Sequence, residues 1–171
     1  MNKELFPEIS DEEFARRIRA IFDDQKNRPE RNIERQMTLS LVYCNAKEHY
    51  AEYCYTADEV CLNKIDIVQG GAVAFICDMA SAFTEVSLMD PKQFETKTIN
   101  TTSFSMEYLS PAKAGDDLIL KVRIVHLGSR IMVSKVGVYV KDRLCYTGTV
   151  NNMLLPKGPA LQEDRPVPPL D

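Results

Sequence analysis

Histidine is scarce in this chain: among 171 residues only His49 and His126 occur. Metal centres built from several imidazoles, and most nucleophile–histidine arrangements, are therefore hard to assemble. Cysteine is present but poorly arranged for cross-linking. Cys44, Cys54, Cys61, Cys77 and Cys145 are odd in number and include no CxxC pair, so neither a disulfide framework nor a zinc site is indicated. They read as reduced core thiols of a cytoplasmic protein. A strong charge of one sign is also missing. A net charge of −4 offers no broad attraction for nucleic acid or an anionic membrane. No apolar run approaches the roughly 20 residues of a transmembrane helix. The opening stretch MNKELFPEISDEEFARR is acidic and lacks the apolar centre of a signal peptide. Neither a membrane span nor a leader is expected.

What is present is an ordinary globular balance, 44% hydrophobic and 27% charged, in a chain long enough for one domain with a sizeable core. Ser10 with Glu13 forms a capping-box pattern, and Ile9 can staple onto Phe14. Phe14, Ile18, Ile21 and Phe22 then share one face, which predicts an amphipathic helix of about four turns. Residues 1–36 are read as this helix and a charged connector. From 37 to 156 the chain reads as strands around one long apolar helix: MTLSLVYCN, YAEYCYT, the helix after Gly70-Gly71, then TINTTSFSMEYL, DLILKVRIVHL, IMVSKVGVYV and LCYTGTVNNMLL. Five of the nine prolines fall at 156 or beyond, so 157–171 is read as an extended or disordered tail. A helix with almost no polar face has to be covered all round. An antiparallel sheet curled about it, in the α+β class, satisfies that need.

The stretch IDIVQGGAVAFICDMASAF carries the chemistry. Gly70 and Gly71 are a tight turn on one reading, with glycine supplying positive φ or close approach. On the other reading they bare the amides of a helix N-terminus, where unpaired N–H groups and the macrodipole both favour negative charge, as an oxyanion hole for acyl transfer requires. Asp78 has two readings as well. It is either a structural carboxylate bonded to a neighbour, or a general base or nucleophile facing a cleft or a second subunit. Ser81 and Glu85 continue a thin polar stripe from it. Gln69 and Asp78 are nine residues apart, about 13 Å of rise and half a revolution. If both serve one reaction, they come from different chains across a two-fold axis.

The spacing of Asn63, Gln69, Gly70-Gly71 and Asp78, followed by YLSPAKAGD, resembles the hotdog-fold acyl-CoA thioesterases of the phenylacetate and THEM2-like branch. The resemblance implies a hotdog fold over roughly 37–156 and an activity that hydrolyses a thioester to a carboxylic acid and free coenzyme A. It implies that Asp78 activates water or attacks the thioester itself, and that an amide of Gly70 or Gly71 polarises the carbonyl. Asn63 would position water or thioester, and Thr101 falls where some members carry a serine beside the acid. Lys113 and Arg130 are candidates for the phosphates of coenzyme A, which enters only as part of the substrate; no cofactor or metal is expected. The partners implied are acyl-CoA and further copies of the chain, as a dimer or dimer of dimers. Gln69 stands where the family commonly has histidine. An amide can donate a hydrogen bond but cannot titrate near neutrality, which keeps open a second reading, a non-catalytic acyl-CoA-binding protein on the same scaffold. A hotdog dehydratase ranks below both, because neither histidine lies at the helix entrance.

Overall fold

The computed structural model describes residues 4–30 and 32–157. Its first element, α1 (Asp11–Lys26), starts where Ser10 Oγ accepts from the Glu13 amide at 3.2 Å. The reciprocal half of the expected capping box is replaced. The Glu13 carboxylate turns to Arg16 and Arg17, each at 2.7 Å, because two guanidinium groups bind a carboxylate more strongly than one backbone amide does. Phe14, Ile18 and Phe22 are buried along one face. Phe22 meets the rings of Tyr53 and Phe83 edge-on, at 6.2 and 5.9 Å between centroids. Arg17 donates to the Met89 carbonyl at 2.7 Å, just past the end of the central helix, where carbonyls lack helical partners. The amphipathic helix thus docks on its own chain. The connector holds one further turn, α2 (Ile33–Gln36).

The strands are β1 (Ser40–Asn45), β2 (Tyr50–Thr56), β3 (Lys97–Tyr108), β4 (Asp117–Leu127), β5 (Ile131–Val140) and β6 (Arg143–Pro156). They form one antiparallel sheet in the order β1-β2-β4-β5-β6-β3, so β1 and β3 are its edges. Alternation fixes which face looks inward. In β4, Leu118, Leu120, Val122 and Ile124 are buried, while Lys121 and Arg123 are exposed. The inner face curls around the central helix α3 (Gly70–Leu88), with contacts from β2, β3, β4, β5 and β6. This is the expected α+β hotdog architecture, a curved antiparallel sheet around one long helix, with α1 added.

One expectation needs correction. The 19 residues of α3 are long and apolar enough to cross a membrane by length and composition. Scattered polar residues break its apolar runs without lowering its mean hydropathy below that of a membrane span. In the fold, the sheet and α1 cover most of it. The proline-rich tail proposed from 157 onward lies outside the described residues except for Lys157, whose amide donates to the Thr96 carbonyl at 2.7 Å.

Candidate active site

The chain enters α3 through a braced turn. Asn63 donates from its amide to the Ile67 carbonyl at 2.8 Å. Its side-chain oxygen accepts from the amides of Ile65 and Ile67 at 3.0 and 3.3 Å. Asn63 therefore shapes the approach to the helix from within the turn. Gln69 is the N-cap, its side chain makes no capping bond, and its amide donates to the Cys61 carbonyl at 2.7 Å. From the other side, the YLSPAKAGD segment buttresses the turn. Val68 donates to the Ala112 carbonyl at 2.9 Å, Ile67 bridges Lys113, and the Tyr108 hydroxyl donates to the Gly70 carbonyl at 3.1 Å.

Gly70 is favoured for space, not for positive φ. Among the described glycines only Gly115, in the turn before β4, has a left-handed φ, of 77°. A Cβ at Gly70 would lie 3.1 Å from the Tyr108 ring, whereas one at Gly71 would meet nothing within 4 Å. The Gln69 carbonyl accepts from Ala72 and Val73 at 2.9 and 3.1 Å, and no acceptor among the described residues bonds the Gly70 or Gly71 amides. Two successive N–H groups thus stand free at a helix N-terminus beside open space, a geometry suited to binding negative charge.

Asp78 lies on the same helix, half-buried, and accepts from the Thr101 hydroxyl at 2.6 Å. Thr101 reaches it from the edge strand β3, whose pairing with β6 shifts register between Thr101 and Ser103. Bulges of this kind re-aim side chains. The nine-residue spacing from Gln69 keeps Asp78 about 13 Å along the axis from its own glycine turn. The structure therefore brings Asp78 and Thr101 together, and gathers Asn63, Gln69, Gly70 and Gly71 at a separate point in the same chain. Cys77, next to Asp78, is fully buried. Burial, and secondarily the Asp78 charge, push its thiol well above the ordinary range, which leaves it unsuited to be a nucleophile.

The stripe Asp78–Ser81–Glu85 does not run along a cleft. Ser81 and Glu85 are 0% exposed, and Glu85 faces the sheet. Glu85 accepts from Ser134 Oγ of β5 at 2.6 Å and from Asn152 Nδ2 of β6 at 2.8 Å. Burial raises its carboxyl to about 7, against the lowering effect of those two bonds, and Asp78 adds to the rise. The deeply buried acid is thus Glu85, which sequence reasoning saw only as part of the stripe. A readable signal lay in Asn151-Asn152, a polar pair inside the otherwise apolar strand TVNNMLL. The role of Tyr108 as a brace was missed as well.

Lys113 is exposed beside the turn, whereas Arg130 lies between β4 and β5. The 11 residues of β4 separate them by about 35 Å, so one chain cannot offer both to one phosphate group. A cavity of about 230 Å³ adjoins the turn, lined by Ile67, Val68, Tyr108, Pro111 and Tyr146. A larger one of about 470 Å³ sits at the far end of α3, against Phe6, Ile9, His49, Leu88 and Leu127, away from Asp78. Among the described residues no three of His, Cys, Asp and Glu gather as a metal site.

Residues 66–146, from the turn through the start of β6, match the family model described as the thioesterase superfamily. A search of curated proteins found no match. Among solved structures, a phenylacetic acid degradation-related protein of Ralstonia eutropha is 20% identical with a TM-score of 0.67, over 82% of this chain and 98% of that one. Thioesterase superfamily member 2 of zebrafish is 14% identical with a TM-score of 0.69, over 85% and 99%. A Streptococcus mutans protein bound to acetyl CoA is 21% identical with a TM-score of 0.60, over 70% and 90%. Identities this low speak for the fold, while the family match spans both the glycine turn and Asp78. Over residues 66–146 the chain is thus similar to the thioesterase superfamily.

Proposed function

We propose that the protein is an acyl-CoA thioesterase. Asp78 removes a proton from water as its oxygen attacks the thioester carbonyl carbon. The negative charge that develops on the carbonyl oxygen is held by the free amides of Gly70 or Gly71. The C–S bond then breaks, the proton returns to the departing sulfur, and a carboxylic acid and free coenzyme A leave. The observation that carries this reading is the Thr101–Asp78 hydrogen bond of 2.6 Å. It occupies one carboxylate oxygen and leaves the other for water. The acetyl CoA held by the Streptococcus mutans relative supports acyl-CoA as the substrate class. Lys113, exposed beside the turn, is a candidate partner for its phosphates.

Within one chain Asp78 is too far from the glycine turn, so the reaction needs a second copy. Two observations support the pairing. β3 is an unpaired edge 12 residues long, which is a ready template for another strand. Ile65, Tyr108 and Leu109, next to the turn, are 64%, 54% and 58% exposed, an apolar patch that a partner would cover. The five cysteines are all free thiols, in keeping with a cytoplasmic setting. The non-catalytic acyl-CoA-binding reading draws on Gln69, which cannot titrate. Thiol release from a panel of short, long and aromatic acyl-CoAs separates the two. Hydrolysis that disappears in Asp78→Asn, with acyl-CoA still bound, is the expected result. Binding without turnover in the wild type would establish the binding protein instead.

A further inference from the structure

Glu85 has no part in the reaction just described, yet it is the most deeply placed acid in the domain. Its two donors differ in what lies behind them. Ser134 belongs to β5, in the interior of the sheet. Asn152 belongs to β6 and pairs directly with Thr101 across the β3–β6 ladder. Directly opposed residues present their side chains on the same face, with Cβ atoms about 5 Å apart. Asn152 and Thr101 therefore stand side by side toward α3, one bonded to Glu85 and the other to Asp78.

The position is one the backbone does not secure. β3 has a neighbour on one side only, and its ladder is disrupted where Thr102 is left over between Thr101 and Ser103. Side chains stitch the bulge on its outer face. Toward the outside, Thr102 Oγ1 donates to the Asn151 carbonyl at 3.0 Å and Asn151 Nδ2 donates to Ser103 Oγ at 2.8 Å. Toward the inside, Asn152 stands opposite Thr101 and bonds Glu85 of α3. The other end of the Asn152 amide, Oδ1, is buried without a partner, as is Ser81 Oγ one turn of α3 away from Glu85. A side chain with one satisfied end would turn freely if its anchor were lost.

We propose that Glu85 is a positioning residue for Asp78. It fixes Asn152 beneath the β3 bulge, and Asn152 holds Thr101 in the orientation that presents its hydroxyl to Asp78. This rests on Asp78 being the catalytic acid. The test compares Asn152→Ala with Ser134→Ala, which each remove one donor from the same buried carboxylate, in acyl-CoA thiol-release assays. Asn152→Ala should lower kcat roughly tenfold with KM within about twofold, the scale of a small misplacement of a catalytic group. Ser134→Ala should stay within about twofold of wild type in both constants. The double variant Asn152→Ala/Thr101→Ala should be no slower than Thr101→Ala alone, since the two act in series. Where Asn152→Ala does not fold, Asn152→Ser, too short to reach Glu85, takes its place with the same expected loss. Equal losses from the Ser134 and Asn152 variants, or additivity with Thr101→Ala, would overturn the proposal. Asp78→Asn runs in the same assay. If it is inactive while the Asn152 variant is unaffected, only the positioning role fails. If it retains turnover, the assignment of Asp78 fails and the positioning role falls with it.

Discussion

Helix α3 has an open half and a sealed half, and they treat the same chemical group in opposite ways. In the open half, the Gly70 and Gly71 amides have no acceptor among the described residues, and Asp78 is half-buried against a hydroxyl from an edge strand. In the sealed half, seven residues on, Glu85 is 0% exposed beneath the inner strands. Thr84 there donates to the Ala80 carbonyl at 2.7 Å and accepts from the Tyr53 hydroxyl at 2.8 Å. The difference shows that a polar residue in an apolar helix is assigned its role by the strand it faces. An edge strand with a bulge leaves a carboxylate reachable, and inner strands enclose one.

Substitutions that exchange the properties of the two halves should break this contrast. The largest effect is expected from Asp78→Asn. Steady-state thiol release should fall by about a thousandfold, while the melting temperature stays close to that of wild type because the site is solvent-reachable. Equal losses of folding and of activity would mean that Asp78 is as structural as Glu85.

Next comes the pH dependence of stability, which belongs to the sealed half. Burial raises the Glu85 carboxyl from its ordinary 4.5 when unfolded to about 7 in the fold. Between those values the folded state holds the extra proton, so this group makes stability fall as pH rises through the window, and the penalty is complete above it. Denaturant unfolding at pH 5 and pH 8 should show wild type losing about 2.5 kcal/mol more than Glu85→Gln over that interval. Matching slopes for the two proteins would show that Glu85 is not buried as described.

Gly71→Leu sharpens the open side. Nothing stands within 4 Å of a Cβ there, so unfolding free energy should change by no more than about 0.5 kcal/mol. Turnover should drop about a hundredfold as the side chain fills the space over the free amides. The smallest effect is expected from Tyr53→Phe, which removes one buried hydrogen bond of the sealed half. It should cost about 1 kcal/mol in denaturant unfolding and leave kcat within about twofold.

Much of this contrast was legible in the sequence, and the limits are physical. Strand boundaries in DLILKVRIVHL and IMVSKVGVYV follow from alternation alone, because one face of each is buried. The spacing of Gly70-Gly71 and Asp78 was readable because helical rise converts residue counts into distance. That Glu85 faces the sheet left only the polar pair Asn151-Asn152 as a trace in the sequence, since Ser134 and Asn152 lie 49 and 67 residues away and only the fold brings them together. The bulge that aims Thr101 is equally silent, as it depends on register between β3 and β6. The separation of Lys113 from Arg130 follows from β4 running the length of the sheet between them.

The central claim is that one reaction is shared between Asp78 of one copy and the glycine turn of another. Co-expression of Asp78→Asn chains with Gly71→Leu chains tests it most directly. Random pairing gives half of the dimers one site free of both lesions, so acyl-CoA thiol release should return to about a quarter of the wild-type value, although each variant alone is nearly inactive. Mixed dimers with no more activity than the separate variants would contradict the account, because a site built within a single chain cannot be restored by a partner.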